Sequence, residues 1–147
     1  MSRTTLVAVD GSPESYNALI WVLDNLNEKG IIYAVYVISP SKYATIEGAT
    51  GYEGIQNLHE IRERIVNDEK EQVIQKVKEL ALESKSEIDV LIRNGDPRSE
   101  ILSCIDEIKA NLLVVGSTGK GFGARLLLGS VSTYLLSHAK IPTVVVR

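Results

Sequence analysis

The feature that most constrains the fold of this chain is the alternation of short apolar runs with segments of helical periodicity. The runs are rich in β-branched residues and lie at 6–9, 31–38, 88–92, 112–115 and 143–146. Most are continuously apolar, as expected for strands covered on both faces of a sheet. Start signals such as Ser12-Pro13 and Asp96-Pro97 open the helical segments between them. The pattern predicts an α/β fold with a mostly parallel sheet.

Length and charge narrow the class of protein. The 147 residues predict a single domain spanning residues 1–147. The 16 Lys and Arg against 19 Asp and Glu give a net charge of −3, which argues against nucleic acid as a partner. One cysteine excludes an internal disulfide and fits a reducing compartment. Because no apolar run resembles an export signal or reaches the ~20 residues of a membrane span, we expect a cytoplasmic protein with no membrane partner.

A glycine-dense segment between the fourth strand and the last helix is the strongest binding signal. It reads Gly116-x2-Gly119-x9-Gly129-Ser130. Glycines let backbone N–H groups approach an anion closely, and the start of the following helix supplies further N–H groups. The hydroxyls of Ser130 and Ser132 add donors. The segment is neither a Walker A loop nor a dinucleotide fingerprint, so those motifs do not identify the ligand.

A second signal, Asp10-Gly11-Ser12, follows the first strand. Ligands of open α/β sheets bind outside the carboxyl ends of the strands, where this segment is predicted to lie. Two interpretations stay open. The three residues could form only a turn and a helix cap, or the Asp10 carboxylate could contact a ribose hydroxyl, a base amino group or a metal ion. The irregular segment 39–56 reaches the same edge, and its contacts are open.

The combined motifs resemble the universal stress protein family, and specifically its ATP-binding branch. The resemblance covers essentially the whole chain and includes the glycine spacing, the first-strand segment Val7-Ala8-Val9-Asp10-Gly11-Ser12, Gly95-Asp96-Pro97 and the closing residues 138–146. It implies a five-stranded parallel sheet in the order 3-2-1-4-5 with helices on both faces, the adenine nucleotide alpha hydrolase-like fold. It also implies a site for ATP with Mg²⁺ or Mn²⁺, whose protein ligands are not identified.

The resemblance assigns a contact to each matching position. Asp10 would contact the nucleotide, the Val37 backbone would meet adenine, and Val115 and Gly116 would line the ribose side. The phosphates would be held by Gly119, Gly129, Ser130, Val131 and Ser132.

The predicted function is that of a nucleotide-dependent regulator or sensor in the stress response. No general base or nucleophile is evident near the glycine segment, so no catalytic residue is predicted and turnover of ATP is expected to be slow at most. A metal-dependent ATP hydrolase or nucleotidyl transferase that uses Asp10 is the enzyme alternative, and a ligand-free dimerising module is the third. The last strand, Thr143 to Val146, would lie at a sheet edge and is predicted to form a homodimer.

Overall fold

The computed structural model describes residues 2–26, 30–40, 55–117 and 128–147, with the side chains of 55–57 excepted. Strands and helices alternate through these residues. In chain order they are β1 (Arg3–Ala8), α1 (Pro13–Leu26), β2 (Gly30–Ile38), α2 (Ile55–Glu83), β3 (Ile88–Asn94), α3 (Pro97–Ile108), β4 (Leu112–Gly116), α4 (Ser130–His138) and β5 (Thr143–Val146).

The strands form one parallel sheet in the order β3-β2-β1-β4-β5. This confirms the predicted fold class and strand order. The chain leaves β1 toward β2 on one side and returns to β4 on the other, so the topological switch point lies between the carboxyl ends of β1 and β4. Ligand sites of such sheets occur at this point.

Each face of the sheet has its own apolar core. Val7 of β1 packs with residues of α1 and α2, including Leu19 and Val77. The preceding residue, Leu6, packs on the other face with α3 and α4, where Ile105 and Leu135 are buried. Because successive strand side chains point to opposite faces, both layers require apolar residues. This explains the continuous apolar runs of the sequence.

The predicted helix starts are confirmed. Ser12 caps α1, since its hydroxyl accepts a hydrogen bond from the Ser15 N–H at 3.2 Å. Asp96 caps α3 in the same way and accepts from the Arg98 N–H at 3.4 Å. The polar stretch 68–72 lies inside the single 29-residue helix α2. No helix in the described ranges combines the length and the apolar character needed to cross a membrane.

Candidate functional site

A cavity of about 350 Å³ opens at the carboxyl edge of the sheet, at the switch point between β1 and β4. Its volume falls within the range of small-molecule sites, about 300–1,000 Å³. The ends of β1, β2 and β4 form its floor, and the first two turns of α3 and α4 form its walls. Eight residues assigned from the sequence line it: Asp10, Val37, Val115, Gly116, Gly129, Ser130, Val131 and Ser132. Gly119, the ninth, lies outside the described residues.

The inner part of the cavity is apolar. Val37 of β2 and Val115 of β4 lie on its sheet side, and Ile101 of α3 and Leu135 of α4 lie on its helix side. All four belong to the core layer between the sheet and these two helices. A slot between a sheet and two helices, lined by aliphatic side chains, suits a flat apolar ring system.

Sequence reasoning missed the helix side of this slot. Ile101 and Leu135 belong to apolar helical stripes in the sequence, and a stripe alone does not show that its end borders a cavity. Pro97 was recognised only as a helix start, although it lines the same opening. Ser15, Tyr36 and Ser39 also line the cavity and were not assigned to it from the sequence.

Asp10 both stabilises a turn and lines the cavity, so its two interpretations from the sequence do not exclude each other. Its Oδ1 atom accepts hydrogen bonds from the Ser12 N–H at 2.9 Å and from the Ser12 hydroxyl, so the carboxylate does stabilise a turn. Gly11, between them, has a φ of 83°, a conformation that favours glycine. Asp10 is nevertheless exposed and lines the cavity. The turn therefore holds one carboxylate oxygen and fixes the position of the other.

The negative charge of Asp10 is felt by a nearby tyrosine. Burial raises the pKa of the Tyr16 phenol, and the neighbouring Asp10 carboxylate and Tyr36 raise it further. Tyr36 is itself buried and lines the cavity. The Asp10 carboxylate, which lines the cavity, is therefore close enough to Tyr16 to act on its phenol electrostatically.

Gly116, the last residue of β4, has a packing reason to be glycine. A Cβ at this position would lie 2.7 Å from the Glu14 carbonyl oxygen and 2.8 Å from the Glu14 carbonyl carbon. No real Cβ atom approaches backbone that closely, so only glycine lets the end of β4 lie against the first turn of α1. The same contact places the two strand-to-helix turns side by side.

The start of α4 presents backbone N–H donors to the cavity, and none of them is capped by a side chain of Gly129. Its N-cap is Gly129, which offers no side-chain cap, and the first helical bond runs from the Thr133 N–H to the Gly129 carbonyl at 3.0 Å. The N–H groups of the first helical residues have no partner within an α-helix. Here they belong to Ser130, Val131 and Ser132, all of which line the cavity. Helices α1 and α3 differ, because Ser12 and Asp96 cap them.

Two hydrogen bonds attach the start of α4 to the end of β4. The Gly129 N–H donates to the Ser117 carbonyl at 2.8 Å. The Ser132 hydroxyl donates to the Gly116 carbonyl, also at 2.8 Å, and Ser132 is only 8% exposed. Neither bond could be read from the sequence, where both groups were interpreted only as donors to a phosphate.

A parallel sheet in this order, with helices on both faces, is a doubly wound α/β fold and agrees with the adenine nucleotide alpha hydrolase-like fold that the sequence motifs predicted. The model of the universal stress protein family matches residues 1–147. The chain therefore belongs to the universal stress protein family, as its sequence motifs indicated.

Individual relatives agree with this assignment. The chain is 30% identical over 149 residues to the universal stress protein YxiE of Bacillus subtilis, covering 100% of both chains. Its fold matches that of the universal stress protein UspA from Lactobacillus plantarum with a TM-score of 0.78, at 23% identity over 99% of this chain and 98% of that one. It also matches a universal stress protein from Archaeoglobus fulgidus, solved in complex with dAMP, with a TM-score of 0.62 at 18% identity, covering 100% and 98% of the two chains.

Proposed function

We propose that this protein binds an adenine nucleotide, ATP in particular, in the cavity at the carboxyl edge of the sheet. The observation that carries the proposal is that an aliphatic slot and an uncapped helix N-terminus open into the same cavity of about 350 Å³. The slot suits the base, and the N–H groups of Ser130, Val131 and Ser132 suit a phosphate. The dAMP complex of the Archaeoglobus relative supports an adenine nucleotide as the ligand class.

The proposed orientation follows from the two ends of the cavity. Adenine lies in the slot near the Val37 backbone, where Ile101 covers it from the helix side. The ribose lies between Asp10 and the Val115-Gly116 end of β4. The phosphates extend toward the start of α4, where the positive end of the helix dipole favours a negative charge.

A divalent cation fits beside Asp10. Carboxylate oxygens are preferred ligands of Mg²⁺, and one Asp10 oxygen is already fixed by the turn. Asp10 is the one carboxylate among the described lining residues, which hold no group of three or more His, Cys, Asp or Glu suited to a metal. We therefore propose that Mg²⁺ or Mn²⁺ arrives with the nucleotide phosphates rather than occupying a site of its own.

We further propose that occupancy of the site, rather than turnover, is the output, which makes the protein a nucleotide-dependent regulator or sensor in the stress response. A ligand that binds one conformer or surface preferentially shifts its population. The alternative is slow metal-dependent hydrolysis with Asp10 as the metal ligand. Steady release of phosphate from ATP that Asp10→Ala abolishes would favour the alternative.

A homodimer through β5 belongs to the same proposal, as does a cytoplasmic location. β5 is the last strand of the sheet order and pairs with β4 on one side. Its residues, Thr143 to Val146, carry no charge. An uncharged edge strand exposes backbone groups that a second copy can pair with. Nucleic acid and membranes are not proposed as partners.

Two measurements test the proposed ligand. Mass spectrometry of small molecules released by acid from freshly purified protein should detect an adenine nucleotide. ATP with Mg²⁺ at 100 times its dissociation constant should stabilise the fold by about 2.7 kcal/mol, which raises Tm by roughly 5–10 °C in a protein of this size. GTP should raise it less. No shift with ATP at millimolar concentration contradicts the proposal.

A further inference from the structure

We infer that Ser132 is a positioning residue: its hydroxyl fixes the first turn of α4 on Gly116 so that the helix N–H groups face the cavity before any anion binds. The inference rests on the proposed function for the identity of the anion. The arrangement that it invokes is a property of the described residues alone.

The hydrogen bond from Ser132 to Gly116 is short and shielded from water. The Oγ to carbonyl oxygen distance is 2.8 Å, and both residues are buried. A buried carbonyl that loses its hydrogen-bond partner is costly. The bond therefore persists whether or not a ligand is present.

The acceptor of this bond is itself fixed. Gly116 is paired with Val146 in the sheet and lies against the Glu14 carbonyl, where not even a methyl group fits. The Gly116 carbonyl is therefore held by β4, β5 and α1 together. A helix that is hydrogen-bonded to it takes its position from the rigid part of the fold.

A second bond prevents α4 from rotating about the first. The Gly129 N–H donates to the Ser117 carbonyl, and the Ser117 N–H donates to Val146 at 3.0 Å. Gly129 and Ser132 are three positions apart and lie on the same side of the helix. Two adjacent attachments on one side leave the N–H groups of the first turn directed along the axis, into the cavity.

The same geometry gives different roles to the hydroxyls of Ser130 and Ser132. A hydroxyl has a single O–H donor, and Ser132 uses it on Gly116. While that bond persists, only the backbone N–H of Ser132 can donate to a phosphate. Ser130 is exposed, lies at the first helical position and also lines the cavity, so its hydroxyl is placed to contact the ligand directly.

The inference is tested by comparing ATP with adenosine, which lacks the phosphates. Calorimetric titrations use the wild type, Ser132→Ala and Ser132→Thr, which retains the hydroxyl. Ser137→Ala is the matched control, because Ser137 lies on the same helix and its hydroxyl donates to the Thr133 carbonyl at 3.1 Å. Ser132→Ala should weaken ATP binding by about fivefold to tenfold and leave adenosine binding within about twofold. Ser132→Thr and Ser137→Ala should bind both as the wild type does.

A second measurement needs no nucleotide. The Thr133 N–H makes the first hydrogen bond of α4, so its exchange with solvent reports on the first turn. In nucleotide-free protein, the Thr133 N–H should exchange faster in Ser132→Ala than in the wild type. Its exchange rate in Ser137→Ala should equal that of the wild type. If Ser132→Ala does not fold, Ser132→Cys, which removes the strong O–H donor at nearly the same volume, takes its place in both measurements.

Equal loss of ATP and adenosine affinity, or no loss of either, would overturn the inference, as would unchanged exchange at Thr133. A wild type that binds neither ligand would instead contradict the proposed function. In that event the exchange measurement still decides whether Ser132 positions the helix.

Discussion

Gly116 and Glu14 are in such close contact that a Cβ on Gly116 would lie 2.7 Å from the Glu14 carbonyl oxygen. This contact joins the end of β4 to the first turn of α1 and places Asp10 and the start of α4 on the same cavity. The glycine that the family motif assigns to a ligand is therefore also required by the packing of the fold.

Gly116→Ala should consequently destabilise the protein in the absence of any nucleotide. Forcing a methyl group against the backbone of another element costs about 1–3 kcal/mol of unfolding free energy. Urea denaturation measures this loss. Ser117→Ala is the control, since the next residue acts through its backbone N–H and carbonyl. If Gly116→Ala is as stable as Ser117→Ala, the contact has been overestimated.

Gly129→Asp should weaken ATP binding without unfolding the protein. The φ of −60° and ψ of 159° at this N-cap are open to any residue, and an aspartate here would cap the N–H groups that we assign to phosphate. Its charge would also repel the ligand, so we expect a loss of about tenfold or more.

Gly129→Asn is the matched comparison, because it caps the helix with the same shape and no charge. It should weaken ATP binding less than Gly129→Asp, and the difference between the two should shrink as salt is added. Wild-type affinity in the aspartate variant would show that the phosphates do not reach α4.

Tyr16 should make the protein lose stability at high pH. Burial raises the pKa of its phenol above the ordinary value of 10.0, and the Asp10 charge raises it further. Above pH 10 the unfolded chain loses this proton while the folded protein keeps it, so the free energy of unfolding falls until the pH passes the folded pKa.

Comparing wild type with Tyr16→Phe isolates this contribution from that of the other tyrosines. The difference in unfolding free energy between the wild type and Tyr16→Phe should be constant below pH 9. Above pH 10 the wild type should lose stability relative to the phenylalanine variant. In Asp10→Asn the phenol should titrate at lower pH, as followed by phenolate absorbance. If the titration of the Tyr16 phenol is the same in Asp10→Asn as in the wild type, the Asp10 charge does not act on Tyr16.

Val145→Pro should convert the proposed dimer into a monomer and leave the sheet intact. The Pro142 carbonyl accepts a hydrogen bond from Leu113 of β4, and the Val146 carbonyl accepts one from Ser117, directly after β4. By the alternation of a strand, the N–H of Val145 therefore faces the open edge. A proline at this position removes the outward N–H donor and leaves the hydrogen bonds between β5 and β4 in place.

Light scattering across a dilution series measures the effect, with Val145→Thr as the control that keeps the N–H. The wild type and Val145→Thr should be dimers and Val145→Pro a monomer. A wild-type monomer at all concentrations, or a dimer that is indifferent to the proline, would show that β5 is not the interface.

The parts of the fold that sequence could predict are those with local causes. The β-branched runs and the signals at Ser12 and Asp96 determine strands and helix starts through neighbouring residues. The strand order came from resemblance to a family, because local periodicity does not state which strands pair.

The site was predictable only in part, because a sequence shows local motifs but not the contacts between distant residues. Asp10 and the glycine spacing are local motifs, and their described residues do lie on one cavity. The bond from Ser132 to Gly116 and the contact of Gly116 with Glu14 join residues that are distant in sequence. Such relations depend on how elements pack, so the sequence showed a serine and a glycine without showing what each contacts.

Calorimetric titration of nucleotide-free protein with ATP in the presence of Mg²⁺ tests the central claim most directly. We predict saturable binding of one ATP per chain, weaker binding of GTP, and a loss of about tenfold or more in Gly129→Asp. Absence of heat at millimolar ATP, in a sample whose acid extract also contains no nucleotide, would contradict the account.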